Sequence, residues 1–182
     1  MNKKTTLLIL FALVATISLN AQRIFATKTG QILFNASGGA EKIAAANNQV
    51  DAKFGEATGQ IVFAVLIKGF KFENQLMEDH FNENYMESSK LPKADYKGYI
   101  KNIKEIDFSK DGKYPANFEG DLTIHGVTNK VSTKGQIEVV QGKPTIVGDF
   151  SIKLANYGIK GAYIGDKIAG DVKIKVNCKF QN

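Results

Sequence analysis

The chain has 182 residues, with 24 basic and 18 acidic side chains, one cysteine, no tryptophan and 12 phenylalanines. That length suffices for one domain with a real core. The mild positive balance, spread over lysines that mostly alternate with apolar residues, argues against a nucleic-acid surface, and a lone cysteine excludes an internal disulfide.

Lys3 and Lys4 open the chain, and Thr5 to Leu19 is an apolar run without charge, followed by Ala21. This predicts a cleaved secretory leader over residues 1–21, too short and wrongly flanked for a membrane span. Leu19 fits the small-x-small cleavage rule poorly, so the cut is placed to within a residue or two. No cysteine follows the apolar run, so a lipid anchor is not expected. The domain then covers residues 22–182, exported to the periplasm or secreted. Losing Lys3 and Lys4 takes the net charge from +6 to about +4.

Strand patterns dominate the chain beyond the leader. Ile24–Lys28 and Gln31–Ala36 read as a pair about a turn at Gly30, and Ser37-Gly38-Gly39 as a breaker. Ala40–Gln49 is alanine-rich and reads as a short helix or an irregular crossing. Val50–Phe54 is a strand ahead of Gly55. Ala57–Phe72 is the longest apolar run after the leader. Ile61, Phe63, Val65 and Ile67 share one face, Val62, Ala64 and Leu66 the other, which predicts cover on both sides along part of the strand's length. Gly69 ahead of Phe70 and Phe72 predicts a bend or bulge. Over Glu73–Asn84 the period changes, and Phe72, Leu76, Met77, His80 and Phe81 form a helical stripe.

Pro92 ends the next loop, and Ala94–Ile106 alternates again. Asp111-Gly112 carries a hairpin signal. Tyr114–His125 and Val127–Val140 read as a hairpin, with Leu122 and Ile124 on one face, His125 at the corner, and Gly126 free to take positive φ. Gln141-Gly142-Lys143-Pro144 turns the chain into the strand Thr145–Leu154. Asn156–Gly165 is a glycine-punctuated corner. Gly170–Phe180 alternates cleanly, with Val172, Ile174, Val176, Cys178 and Phe180 inward, so its register is strongly fixed. Cys178 reads as a small buried hydrophobe. Eight to ten short strands with one short helix predict an all-β antiparallel fold. Closure into a barrel of about eight strands removes exposed edges and leaves room for one small ligand.

Chemistry is sparse. His80 and His125 lie far apart, and no HExxH, CxxC or Gly-x-Ser-x-Gly spacing exists. No metal site and no catalytic residues are predicted.

Three blocks resemble one family. Leu122-Thr123-Ile124-His125-Gly126-Val127-Thr128 is similar to the central motif of the YceI-like exported lipid-binding proteins. Met77 to Ser88 with Leu91-Pro92-Lys93 is similar to the family's histidine–phenylalanine helix and its following proline. Asn156-Tyr157-Gly158-Ile159 matches a third block, except that Asn156 stands where the family usually has an acid. The resemblance covers essentially the whole mature chain. It implies an extended lipocalin-like barrel whose apolar tunnel holds a long isoprenoid or other amphiphilic lipid.

On that resemblance the expected lining is Phe63, Phe70, Phe72, Met77, Phe81, Leu122, Ile124, Phe150, Ile152, Val172, Ile174 and Val176. His80, Tyr85 and His125 are candidates for the polar end. No cofactor is expected beyond a bound polyisoprenoid, quinone or fatty-acid-type lipid. The expected partner is that lipid, with a homodimer left open. A non-enzymatic carrier is the leading reading. An envelope stress or interaction protein with a purely structural barrel, and an enzyme acting on an isoprenoid, are the alternatives.

Overall fold

A computed structural model describes residues 23–181, and the expected leader lies outside the described residues. Nine strands and one short helix follow in order. They are β1 (Ile24–Ser37), β2 (Ala44–Gly55), β3 (Gln60–Leu66), β4 (Lys71–Phe72), α1 (Gln75–His80), β5 (Lys93–Ile100), β6 (Gly112–Ile124), β7 (Val127–Val140), β8 (Lys143–Lys153) and β9 (Ile168–Lys179). Eight strands run β1-β9-β8-β7-β6-β5-β3-β2, and β2 pairs back onto β1, so the sheet closes. Two-residue β4 is an attachment to the upper end of β2. Neighbouring strands around the ring are antiparallel throughout, and closure leaves the ring without a long free edge.

Three local expectations change. Gly30 is not a hairpin turn. Ile24–Lys28 and Gln31–Ala36 are halves of one strand, bent by register shifts on either side of Gly30. A Cβ at Gly30 would strike the Cys178 sulfur, so this glycine serves close approach inside a strand. Ala40–Gln49 is neither helix nor irregular crossing over its second half, because β2 starts at Ala44. Pairing with β1 and β4 overrides alanine's helical preference, and small Ala45 faces Phe72 across the β2–β4 ladder. Asp111-Gly112 does not form a hairpin turn. A longer connection joins β5 to β6, and the Asp111 carboxylate accepts a hydrogen bond from the Gln141 backbone N–H at 2.7 Å.

The long apolar run divides at its upper end. β3 stops at Leu66, residues 67–69 make a tight turn, and β4 follows. Asn47, fully buried, holds the split. Its Nδ2 donates to the Leu66 carbonyl at 2.9 Å, and its Oδ1 accepts from the Gln49 N–H at 2.9 Å. Gly69 passes directly over this amide, where a Cβ would not fit. Val62 and Ala64 are half-buried and Leu66 is exposed, so the outer face of β3 is partly covered near its middle and open at its upper end.

Two hairpins share one turn chemistry. His125 (φ 51) with Gly126 (φ 75), and Gln141 (φ 51) with Gly142 (φ 71), each put both central residues in the left-handed region. Ile124 pairs with Val127 and Val140 with Lys143, so both are two-residue turns whose twist matches the flanking strands.

The interior is solid at one end. Phe25, Phe54, Phe108 and Phe180 pack with ring centroids 5.6–6.2 Å apart, among buried Ile137, Val139 and Cys178. Both described chain ends sit here. The Arg23 guanidinium stacks over Phe25 and donates to the Gly142 carbonyl, and Ala26 bridges to Gln181.

Candidate functional site: an apolar cavity in the barrel

Above the phenylalanine plug the barrel holds a cavity of about 490 Å³. One wall of its mouth is α1 and the turn that continues it. Asn74 caps α1, its side-chain oxygen accepting from the Leu76 and Met77 N–H groups. Buried Glu78 fastens the helix to β4 by accepting from Lys71 Nζ and from the Phe72 N–H. Residues 81–85 then make one wide helical turn closed by Met86 N–H to the Phe81 carbonyl at 2.9 Å. This aims Phe81 onto Phe34, Phe70 and Phe72, with centroids 5.4, 5.9 and 5.1 Å away.

Most of the sequence-predicted residues converge on this cavity. Met77, His80, Phe81 and Tyr85 border it from the helix side, and Phe63, Phe70 and Phe72 from β3, β4 and their connection. Leu122 and Ile124 enter from β6, Phe150 and Ile152 from β8, and Val172, Ile174 and Val176 from β9. His125 does not border it. After Ile124 the strand alternation turns the next side chain outward, and the left-handed turn fixes it there. His125 instead bridges neighbouring segments, with Nε2 3.3 Å from Glu87 Oε2 and Nδ1 3.4 Å from the Tyr157 carbonyl. The Glu87 carboxyl is held below its usual range by Lys90, through a hydrogen bond and charge, and then by His125.

Sequence reasoning missed several lining residues. Ile32 and Phe34 follow from the alternation of β1, which a turn at Gly30 would have broken. Tyr96 and Phe118 were readable from the parity of β5 and β6. Glu41, Tyr163 and Lys167 come from loops that carry no periodic signal.

The walls are apolar. The charged or titratable side chains that border the cavity besides the tyrosines are Glu41, His80 and Lys167. All three are exposed and belong to the mouth end. Lys167 Nζ lies 5.2 Å from the Tyr163 ring centroid. Burial, followed by the neighbouring Tyr163, raises the Tyr85 phenol. Deeper in, burial, reinforced by Glu119 and Asp121, pushes the Tyr96 phenol up to about 12. Its hydroxyl is turned onto the backbone at Gly98 and has no hydrogen-bond partner among the described residues. Burial raises the Cys178 thiol to about 12, so at neutral pH it is protonated and inert. Among the described residues no three His, Cys, Asp or Glu side chains gather as a metal site, and no helix is long and apolar enough to cross a membrane. The arrangement suits burying one apolar molecule with its polar end at the mouth.

Solved structures share the architecture. A polyisoprenoid binding domain from Saccharophagus degradans, described as implicated in plant cell wall breakdown, superposes with a TM-score of 0.74 at 9% identity, covering 88% of this chain and 98% of that one. Burkholderia cenocepacia BcnA gives 0.69 at 17% identity, covering 84% and 96%. The Campylobacter jejuni YCEI protein gives 0.56 at 18% identity, covering 74% and 81%. At these identities the likeness is one of fold. No curated protein sequence matches the chain. The YceI-like domain model matches residues 16–180, nearly the full length, and the chain belongs to the YceI-like family.

Proposed function

We propose that this protein is an exported, non-enzymatic carrier or store for a long-chain isoprenoid or another amphiphilic lipid. The observation that carries the proposal is the cavity itself: about 490 Å³, apolar along its walls, stopped at one end and edged with charge at the other. That volume lies within the ordinary range for small-molecule sites. Each methylene buried contributes roughly 0.8 kcal/mol, so about ten of them supply on the order of 8 kcal/mol before ordering costs. Tight binding then needs no catalytic group. His80 and Tyr85 are the proposed neighbours of the head group, together with Lys167. The description of the Saccharophagus degradans domain as polyisoprenoid binding supports the ligand class. The charged start and apolar run of residues 1–21 support export.

Organic extraction of the purified protein, followed by mass spectrometry, tests the ligand. A stoichiometric long-chain lipid is expected. Protein that is repeatedly empty and takes up no fluorescent lipid probe would overturn the proposal. N-terminal sequencing of material from the cell envelope tests export, with the chain expected to begin within a residue or two of Gln22.

A further inference from the structure

The ladder between β8 and β9 grades the cavity from mouth to floor. Its inward pairs are Ile152 with Val172, Phe150 with Ile174, Gly148 with Val176, and Ile146 with Cys178. Ile146 is 3% exposed and Cys178 fully buried, and the phenylalanine plug lies beneath them. Gly148 is therefore the last layer above the floor. A Cβ there would meet nothing within 4 Å, and its backbone is not left-handed, so neither a steric nor a conformational demand explains a glycine. Gly135, its partner on β7, differs. There a Cβ would run into the Phe118 ring and the Val147 carbonyl. The wall is thus closed by Phe118 on one side of the pair and hollow on the other.

Little at this depth attracts a polar atom. The Thr133 hydroxyl donates to the Lys134 carbonyl at 3.3 Å, and the Tyr96 hydroxyl, without a partner among the described residues, is packed against Gly98 and buried away from the cavity space. The charged side chains stand at the mouth, where Glu41, His80 and Lys167 meet water. An amphiphile in this cavity therefore enters tail first, and its hydrocarbon terminus meets the Gly148 layer.

We propose that Gly148 sets chain-length specificity: the hollow it leaves in the wall receives the apolar end of an isoprenoid chain, and Ile146 is its stop. This rests on the lipid-binding reading of the cavity. The test binds a series of linear prenyl alcohols of increasing length, by native mass spectrometry, to the wild type and to Gly148→Leu, Gly148→Ala and Ile146→Ala. One layer of inward side chains occupies about 5 Å of barrel axis once strand tilt is included, so Gly148→Leu is expected to shorten the longest chain bound by roughly one isoprene unit. The longest wild-type ligand should lose at least about tenfold in affinity and the short ones less than about twofold, a difference of some 1 kcal/mol by the tenfold-per-1.4 kcal/mol relation. Gly148→Ala should shift the limit the same way by less, and Ile146→Ala should lengthen it. A folded Gly148→Leu protein with the wild-type limit would overturn the proposal, as would equal weakening of every length. Should the leucine variant not fold, an unchanged limit in Gly148→Ala overturns it. Failure of the wild type to bind any member overturns the Gly148 assignment, and if the same protein also takes up no fluorescent lipid probe, the lipid-binding reading falls with it.

Discussion

Replacing Asn47 by alanine tests how the upper barrel is held open. Asn47 is fully buried and makes two hydrogen bonds, to the Leu66 carbonyl and from the Gln49 N–H, at the point where β2 leaves β3 for β4. Truncation removes both bonds, which join Asn47 to backbone groups that are only partly buried, at a net cost of about 0.5–1.5 kcal/mol each. It also leaves a gap beneath Gly69, which rests on the amide. The expected loss is about 1–3 kcal/mol, which for a domain of this size lowers the thermal midpoint by roughly 2–12 °C. Far-ultraviolet circular dichroism with urea titration reads it, since the chain has no tryptophan. The turn over residues 67–69 carries Phe70 and Phe72 to the mouth, so lipid affinity should fall alongside stability. A loss below about 1 kcal/mol would refute the assignment of Asn47 as the pin, because even one net hydrogen bond is worth about that much.

Single substitutions elsewhere have equally definite outcomes. His125→Asn should cost no more than about 1 kcal/mol, because asparagine tolerates left-handed φ, whereas His125→Val should cost about 1–2 kcal/mol more in urea titration. Both should keep wild-type lipid affinity, since His125 lies outside the cavity. Tyr96→Phe removes a buried hydroxyl without a partner and should be neutral or stabilising by up to about 1 kcal/mol. The folded-state pKa of Tyr96 stands above its ordinary value of 10.0, so the associated stability is whole below about pH 10 and is lost as pH rises through about 12. Thermal midpoints between pH 9 and 12 should therefore fall less steeply in Tyr96→Phe than in the wild type. Asp107 has the opposite sign. Hydrogen bonds from Ser109 and Lys110 hold its carboxyl down at about 2, so its contribution is present above the ordinary value of 3.8 and is lost as pH falls through about 2. Asp107→Asn should lower the midpoint at pH 5 and flatten its decline between pH 4 and 2.

Much of the fold was legible because the side-chain period of a strand is two. The run Gly170–Phe180 gave its inward set directly, and Val172, Ile174, Val176, Cys178 and Phe180 all face in. Which half of that ladder is hollow was not legible. Cys178 and Phe180 are sealed because Phe25 and Phe54 arrive from β1 and β2 and Phe108 from the connection between β5 and β6, and no local pattern in β9 records them. Gly30 misled because a glycine that permits close packing and one that permits a turn look alike in sequence. The mouth was half legible. The stripe from Phe72 to Phe81 announced the helix, while Glu41, Tyr163 and Lys167 are set there by loops.

The two described ends of the chain have a practical consequence. Arg23 and Gln181 both lie beside the phenylalanine plug, at the opposite pole from the mouth. A tether, fluorophore or surface linkage attached at either end holds the barrel by its base. The protein can then be immobilised with every mouth turned toward the solution, and loading and unloading watched without the handle standing in the way.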